Sequence, residues 1–110
     1  MRMWNVDPSK MCRMHLIAEH LEMHMFLGAY KKGKNLQGYI DKGELELHSI
    51  FFRHEVLVDE MLRRGYNHAT PMEHIKLPKA GIIDPIKSAQ LLMQRCSKCF
   101  QVKEQHGSRI

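Results

Sequence analysis

The sequence predicts an all-α protein, a compact three-helix domain. Apolar residues recur at helical spacing through most of the chain, and no segment alternates long enough to make a strand. Two Asp-Pro pairs, Asp7-Pro8 and Asp84-Pro85, each combine a capping residue with a proline suited to the first helical position. The length of 110 residues, 44% of them hydrophobic, is enough for one modest core.

Met1–Val6 is short and mixed, and Trp4, the only tryptophan, is expected to anchor it against the body. Helix one is predicted from Pro8 to Leu27, ending near Gly28. Along it Met14, Ile17, Ala18, Leu21, Met25 and Gly28 share one side, which reads as core. Cys12, His15, Glu19, Glu22 and Phe26 share the adjoining side. Its carboxylates and imidazole make either solvated helix pairs or a site. Lys31, Lys32 and Lys34 follow around Gly33, as a solvated loop or, the favoured reading, a phosphate contact.

A short helical turn is expected at Leu36–Ile40. The second long helix is predicted from Glu44 to Arg64, with Leu47, Ile50, Phe51, His54, Leu57, Val58, Met61 and Leu62 on its apolar side. His54 there reads as a satisfied core histidine. Arg63 and Arg64 suit the last turn, and Gly65 ends it. Tyr66–Gly81, with Pro71 and Pro78, reads as loop. The third helix is predicted from Pro85 to Arg95, with Ile86, Ala89, Leu91 and Leu92 inward. The polar tail is expected to fray over residues 100–110 of a single domain spanning 1–110.

The net charge of +5 and pI near 9.3 favour a polyanionic partner, nucleic acid being the usual one for a small basic domain. No apolar run approaches the ~18 residues of a membrane span. The opening MRMWNVDPSK lacks the apolar region of a signal peptide. Three cysteines, an odd number, argue against a secreted disulfide framework and for a reducing cytoplasm.

Two further constellations suggest other chemistries. His15/Glu19 and His20/His24 are i,i+4 pairs, the spacing that lets two helical side chains share a metal, as a metal-dependent hydrolase would need. The pairs point in different directions, and HExxH order is absent. Cys96-Ser97-Lys98-Cys99 is half of a zinc site that Cys12, His106 or another histidine would complete, giving a non-catalytic nucleic-acid-binding module. Two reduced thiols are the favoured reading of that CxxC.

Two segments resemble the pyrimidine-dimer DNA glycosylase, or phage endonuclease V-like, family. One is His15-Leu16-Ile17-Ala18-Glu19 through Glu22 to Leu27-Gly28-Ala29; the other is Glu60-Met61-Leu62-Arg63-Arg64-Gly65-Tyr66-Asn67. The opening Met1-Arg2-Met3-Trp4 with Pro8 is similar to the start of shorter bacterial members. The resemblance implies a helical bundle with an N-terminal segment threaded between helices. It implies a bifunctional DNA N-glycosylase and abasic-site lyase, active without cofactor or metal, monomeric, in a bacterial or virus-infected cell. Its nucleophile would be the chain's α-amine, which attacks C1′ of a damaged nucleotide in double-stranded DNA. The base leaves, a Schiff base forms, and β-elimination cuts the strand.

In the ungapped register Glu22 falls on the family's catalytic glutamate, Arg2 on the arginine beside the nucleophile, and Met1 on the nucleophile. An α-amine, with its pKa near ~7.7–8.0, has a usable neutral fraction at pH 7. Arg2 is too large for removal of an initiator methionine, so Met1 is expected to stay. Met1 and Glu22 are therefore the expected catalytic residues. Arg2, Asn5, His15, His20, His24, Lys31 and Lys32 are the expected DNA contacts. The chain departs from the phage member at Leu21 and Met25, where that enzyme has two DNA-gripping arginines, and at Met14, where it has glutamine. The expected substrate is accordingly a damaged or modified pyrimidine, or an abasic site, rather than the dimer alone.

Overall fold

The computed structural model describes residues 1–67 and 70–101. Four α-helices are found among them: α1 Arg13–Lys31, α2 Gln37–Asp41, α3 Ile50–Arg63 and α4 Pro85–Arg95, with 3₁₀ turns at Pro8–Lys10 and Leu47–Ser49. No strand occurs among the described residues, so the all-α expectation holds, with α2 as a short addition to three longer helices. No helix among them is long and apolar enough to cross a membrane.

Helix one differs from its predicted bounds at both ends. Asp7 caps only a 3₁₀ turn, its Oδ1 accepting from the Ser9 N–H. The chain then extends through Met11 and Cys12, and α1 restarts at Arg13 with the Cys12 sulfur accepting from the His15 N–H. At the other end the helix runs through Gly28 to Lys31. The stop is Gly33, which takes φ +72°, a conformation that favours glycine. The second long helix likewise begins as a 3₁₀ turn and becomes α-helical only at Ile50. The third matches its prediction, Asp84 accepting from the Ile86 and Lys87 N–H groups.

The core face of α1 is not the predicted one. Leu16, Glu19, His20, Met23, Phe26 and Leu27 are buried, whereas Met14, Leu21 and Met25 are 70%, 57% and 48% exposed. The reason is Glu19. Arg53 of α3 grips its carboxylate with Nε at 2.6 Å and Nη2 at 2.9 Å, and the Trp4 N–H adds a third bond at 3.0 Å. A carboxylate so satisfied can lie in the core, and it turns the helix away from the face that apolarity alone would bury. Ile86 of α4, also expected inward, is exposed; Ser88 and Leu92 are buried in that helix.

The N-terminal segment is threaded through the interior. Met3, Trp4 and Val6 are buried. Met3 N–H donates to the Glu44 carbonyl at 2.8 Å, Ser88 Oγ donates to the Trp4 carbonyl, and Arg53 Nη1 donates to the Val6 carbonyl at 2.8 Å. Arg64 joins the Pro8–Met11 turn to the end of α3, donating to the Pro8 and Met11 carbonyls. The extended segment before α4 packs closely on the Leu45 region. A Cβ on Gly81 (φ +88°) would lie 2.1 Å from the Leu45 carbonyl oxygen, so only glycine fits there. Of the tail expected to fray, residues 102–110 lie outside the described residues; Phe100 is tied by its N–H to the Lys10 carbonyl.

Candidate active site

Glu22 lies one helical turn beyond Glu19 on α1 and meets the same threaded segment. Where Glu19 holds the Trp4 N–H, Glu22 Oε1 accepts from the Arg2 N–H at 2.8 Å. The i,i+3 spacing of the two carboxylates thus matches a two-residue step along an extended chain. Residue 1 is thereby placed beside a partly exposed carboxylate. Met1, Arg2, Trp4, Met14, His15, Ala18, Glu22, Glu44 and Arg95 line a common cleft of about 310 Å³.

Arg2 is held as firmly. Its Nη2 donates to Ser88 Oγ at 3.1 Å, and its guanidinium sits 4.1 Å over the Trp4 ring. Burial lowers its pKa; Glu44 and Glu19 counter that effect, and the Arg95 charge adds to it. Arg95, from the last turn of α4, lies on the same ring at 5.9 Å. Two cations and the two carboxylates Glu22 and Glu44 therefore converge on one concave site.

The other expected contacts are dispersed. His15 borders this cleft, but its Nδ1 faces sulfur, 3.2 Å from Cys12 Sγ and 3.6 Å from Cys99 Sγ. The His15/Glu19 metal pair does not form, because Glu19 belongs to Arg53. Asn5 (φ +54°) opens onto a different surface, with Asp7, Lys10, Pro85 and Ile86. Lys31 pairs with Glu73 at 2.7 Å, and Lys32 is exposed; both lie about two and a half turns beyond Glu22.

His20 and His24 come together with the buried His54. The three ring centroids are 4.7–4.9 Å apart. His54 Nε2 lies 2.9 Å and His24 Nε2 3.2 Å from the Thr70 carbonyl oxygen. Burial lowers the His24 pKa and the neighbouring His54 adds to it, while the Thr70 contact opposes the shift. A cleft larger than that of Glu22, about 870 Å³, lies beside this cluster, lined also by Arg13, Leu21, Tyr66 and Asn67. Ala18 lines the Glu22 cleft and Leu21 the larger one, both from α1.

Sequence reasoning missed Glu44, Arg95 and Ser88 as parts of the site, and the role of Glu19. Ser88 and Arg95 carry no local signal; the i,i+3 repeat of Glu19 and Glu22 was visible, but Arg53, which separates their roles, is 34 residues from Glu19.

A small basic helical domain that holds a carboxylate and two arginines against its own threaded N-terminal segment has the architecture of an enzyme acting on a polyanion. A sequence model of the family described as pyrimidine dimer DNA glycosylase matches residues 1–74, and the chain belongs to that family. The family's substrate is DNA, and its members are glycosylases. No curated protein and no solved structure matches the chain.

Proposed function

We propose that this glycosylase is also an abasic-site lyase, with the Met1 α-amine as nucleophile and Glu22 as the group that handles protons. The observation that carries the reading is the Arg2 N–H to Glu22 bond, which holds the carboxylate one residue from the amine. The neutral amine attacks C1′, the glycosidic bond breaks, and the base departs with the bonding electrons. Loss of a proton from nitrogen and opening of the sugar ring give the iminium. Removal of a C2′ proton then expels the 3′ phosphate.

Glu22 stabilises the positive charge that grows on the sugar and nitrogen and relays these protons. Arg2 and Arg95 flank the cleft and provide for phosphates. The substrate class is a damaged or modified pyrimidine, or an abasic site, in duplex DNA. C1′ chemistry needs an exposed nucleotide, so the target is drawn from the stack. The exposed Leu21 and Met25 offer apolar contact where the phage member grips with charge, which supports a lesion preference other than that member's. The protein acts as a monomer in a reducing cytoplasm, a reading that its three free cysteines support.

Borohydride trapping on duplex DNA with an abasic site, followed by mass mapping, tests the nucleophile: the adduct is expected on the Met1 amine. In Glu22→Gln the amide oxygen can still accept from Arg2, so the fold stays intact while strand cleavage falls by about 10²–10⁴-fold. Cleavage untouched by both a blocked amine and Glu22→Gln would overturn the assignment.

A further inference from the structure

Cys12, His15, Cys96 and Cys99 bring one potential ligand atom each to a single point, all within 4.8 Å of one another. We propose that they form a structural zinc site, Cys₃His, that clamps the end of α4 to the start of α1. This departs from the expectation of a metal-free protein and stands independently of the lyase reading.

The distances carry the proposal. Tetrahedral zinc, with Zn–S about 2.3 Å and Zn–N about 2.0–2.1 Å, requires sulfurs about 3.8 Å apart and sulfur–nitrogen separations of about 3.6 Å. Cys12 Sγ and Cys96 Sγ are 3.9 Å apart, Cys99 Sγ and His15 Nδ1 are 3.6 Å apart, and Cys12 Sγ and His15 Nδ1 are 3.2 Å apart. These are three of the six edges of one coordination tetrahedron, each met to within a few tenths of an ångström, and the other three are no longer than 4.8 Å.

The ligands come in two pairs of zinc spacing, Cys12-x-x-His15 and Cys96-x-x-Cys99, on two separate elements. Each pair rests on a turn that the helices supply: Cys12 is the N-cap of α1 and Cys96 the C-cap of α4. Sulfur is also met by main-chain donors, as in a thiolate site. The Cys12 N–H points at Cys99 Sγ at 3.3 Å, and the His15 N–H at Cys12 Sγ at 3.5 Å.

Three thiolates and one Zn²⁺ leave a net charge of −1. Arg13 and Lys98, each next to a ligand, border a shallow surface cleft over Cys12 that supplies counter-charge and an entry path. Cys96 and Cys99 lie beyond the stretch that the family match covers. The C-terminal segment thus brings a cross-link to the helix that carries Glu22, and it fixes the His15 ring that forms one wall of the Glu22 cleft.

The test is metal analysis of the purified full-length protein together with cobalt(II) substitution. About one zinc per chain is expected, retained through gel filtration and removed by a chelator with a lowered Tm. Cobalt is expected to give the intense near-ultraviolet thiolate charge-transfer band and the visible bands of a tetrahedral centre. Cys99→Ser should lose the zinc, whereas His15→Cys, which supplies a fourth thiolate, should keep it. Because the cobalt spectrum is read on the unaltered chain, a variant that fails to fold does not decide the matter. A protein isolated without zinc whose three thiols all react freely in the native state would overturn the proposal. So would cobalt bound without a thiolate band, which would place the metal away from the three cysteines.

Discussion

Two glutamates one turn apart on α1 have divided the work between them. Glu19 is buried against Arg53 and serves the fold; Glu22 is partly exposed and faces residue 1. Arg53→Met would leave the Glu19 carboxylate in the core without its cation. It is expected to cost about 3–5 kcal/mol in urea denaturation, partly restored by adding Glu19→Gln. Helical periodicity put both glutamates on one face and could rank neither, since a helix wheel carries no information about a partner 34 residues away; only the family register singled out Glu22. His15 shows the same limit. Its spacing from Cys12 was legible, but its destination depended on Cys96 and Cys99, which only the return of α4 brings near.

At the scale of elements, Asp7-Pro8 caps only a 3₁₀ turn, whereas the Asp84-Pro85 cap and Gly65 were readable because their physics is local. The facing of α1 was not. Its burial is decided by one ion pair, so Met14, Leu21 and Met25 are exposed although an apolar stripe ordinarily marks a core.

The three-histidine contact between α1 and α3 makes a pH prediction. The His24 pKa is lowered in the folded state, so below its ordinary value of 6.5 the unfolded chain binds more protons than the folded one. The stabilisation from neutral His24 is present above that pH and is lost as pH falls through the lowered folded value. Urea midpoints measured from pH 7.5 down to pH 5 should drop less steeply for His24→Gln than for the unaltered chain. In the segment before α4, Gly81→Ala should lower stability by about 1–3 kcal/mol in the same assay. The added methyl meets the Leu45 backbone rather than a yielding side chain, in a left-handed conformation that alanine resists.

Across the whole molecule, the site is assembled from parts far apart in the chain. Ser88 of α4 reaches both the Trp4 carbonyl and the Arg2 guanidinium, across 84 and 86 residues. Ser88→Ala leaves every group in the Glu22 cleft chemically intact while releasing the threaded segment. Cleavage is expected to fall by roughly tenfold, up to 10²-fold, because reacting groups shift without being removed, and a single-turnover assay on abasic-site DNA would read this. The broad outline was open to a reader of the sequence: helical class and family are both encoded in neighbouring residues. The convergence of α4, Arg95 and Glu44 on residue 2 was not, because it is a property of the closed fold.

The threading also sets an order of events during synthesis. Residues 1–6 are made before their partners, which include Arg53 and Ser88, so they can settle only after the chain has emerged through α4. Pairing across such sequence distances is slow compared with forming the helices themselves. A segment made before its partners is thus among the last to be put in place, and a half-folded molecule has no assembled Glu22 cleft.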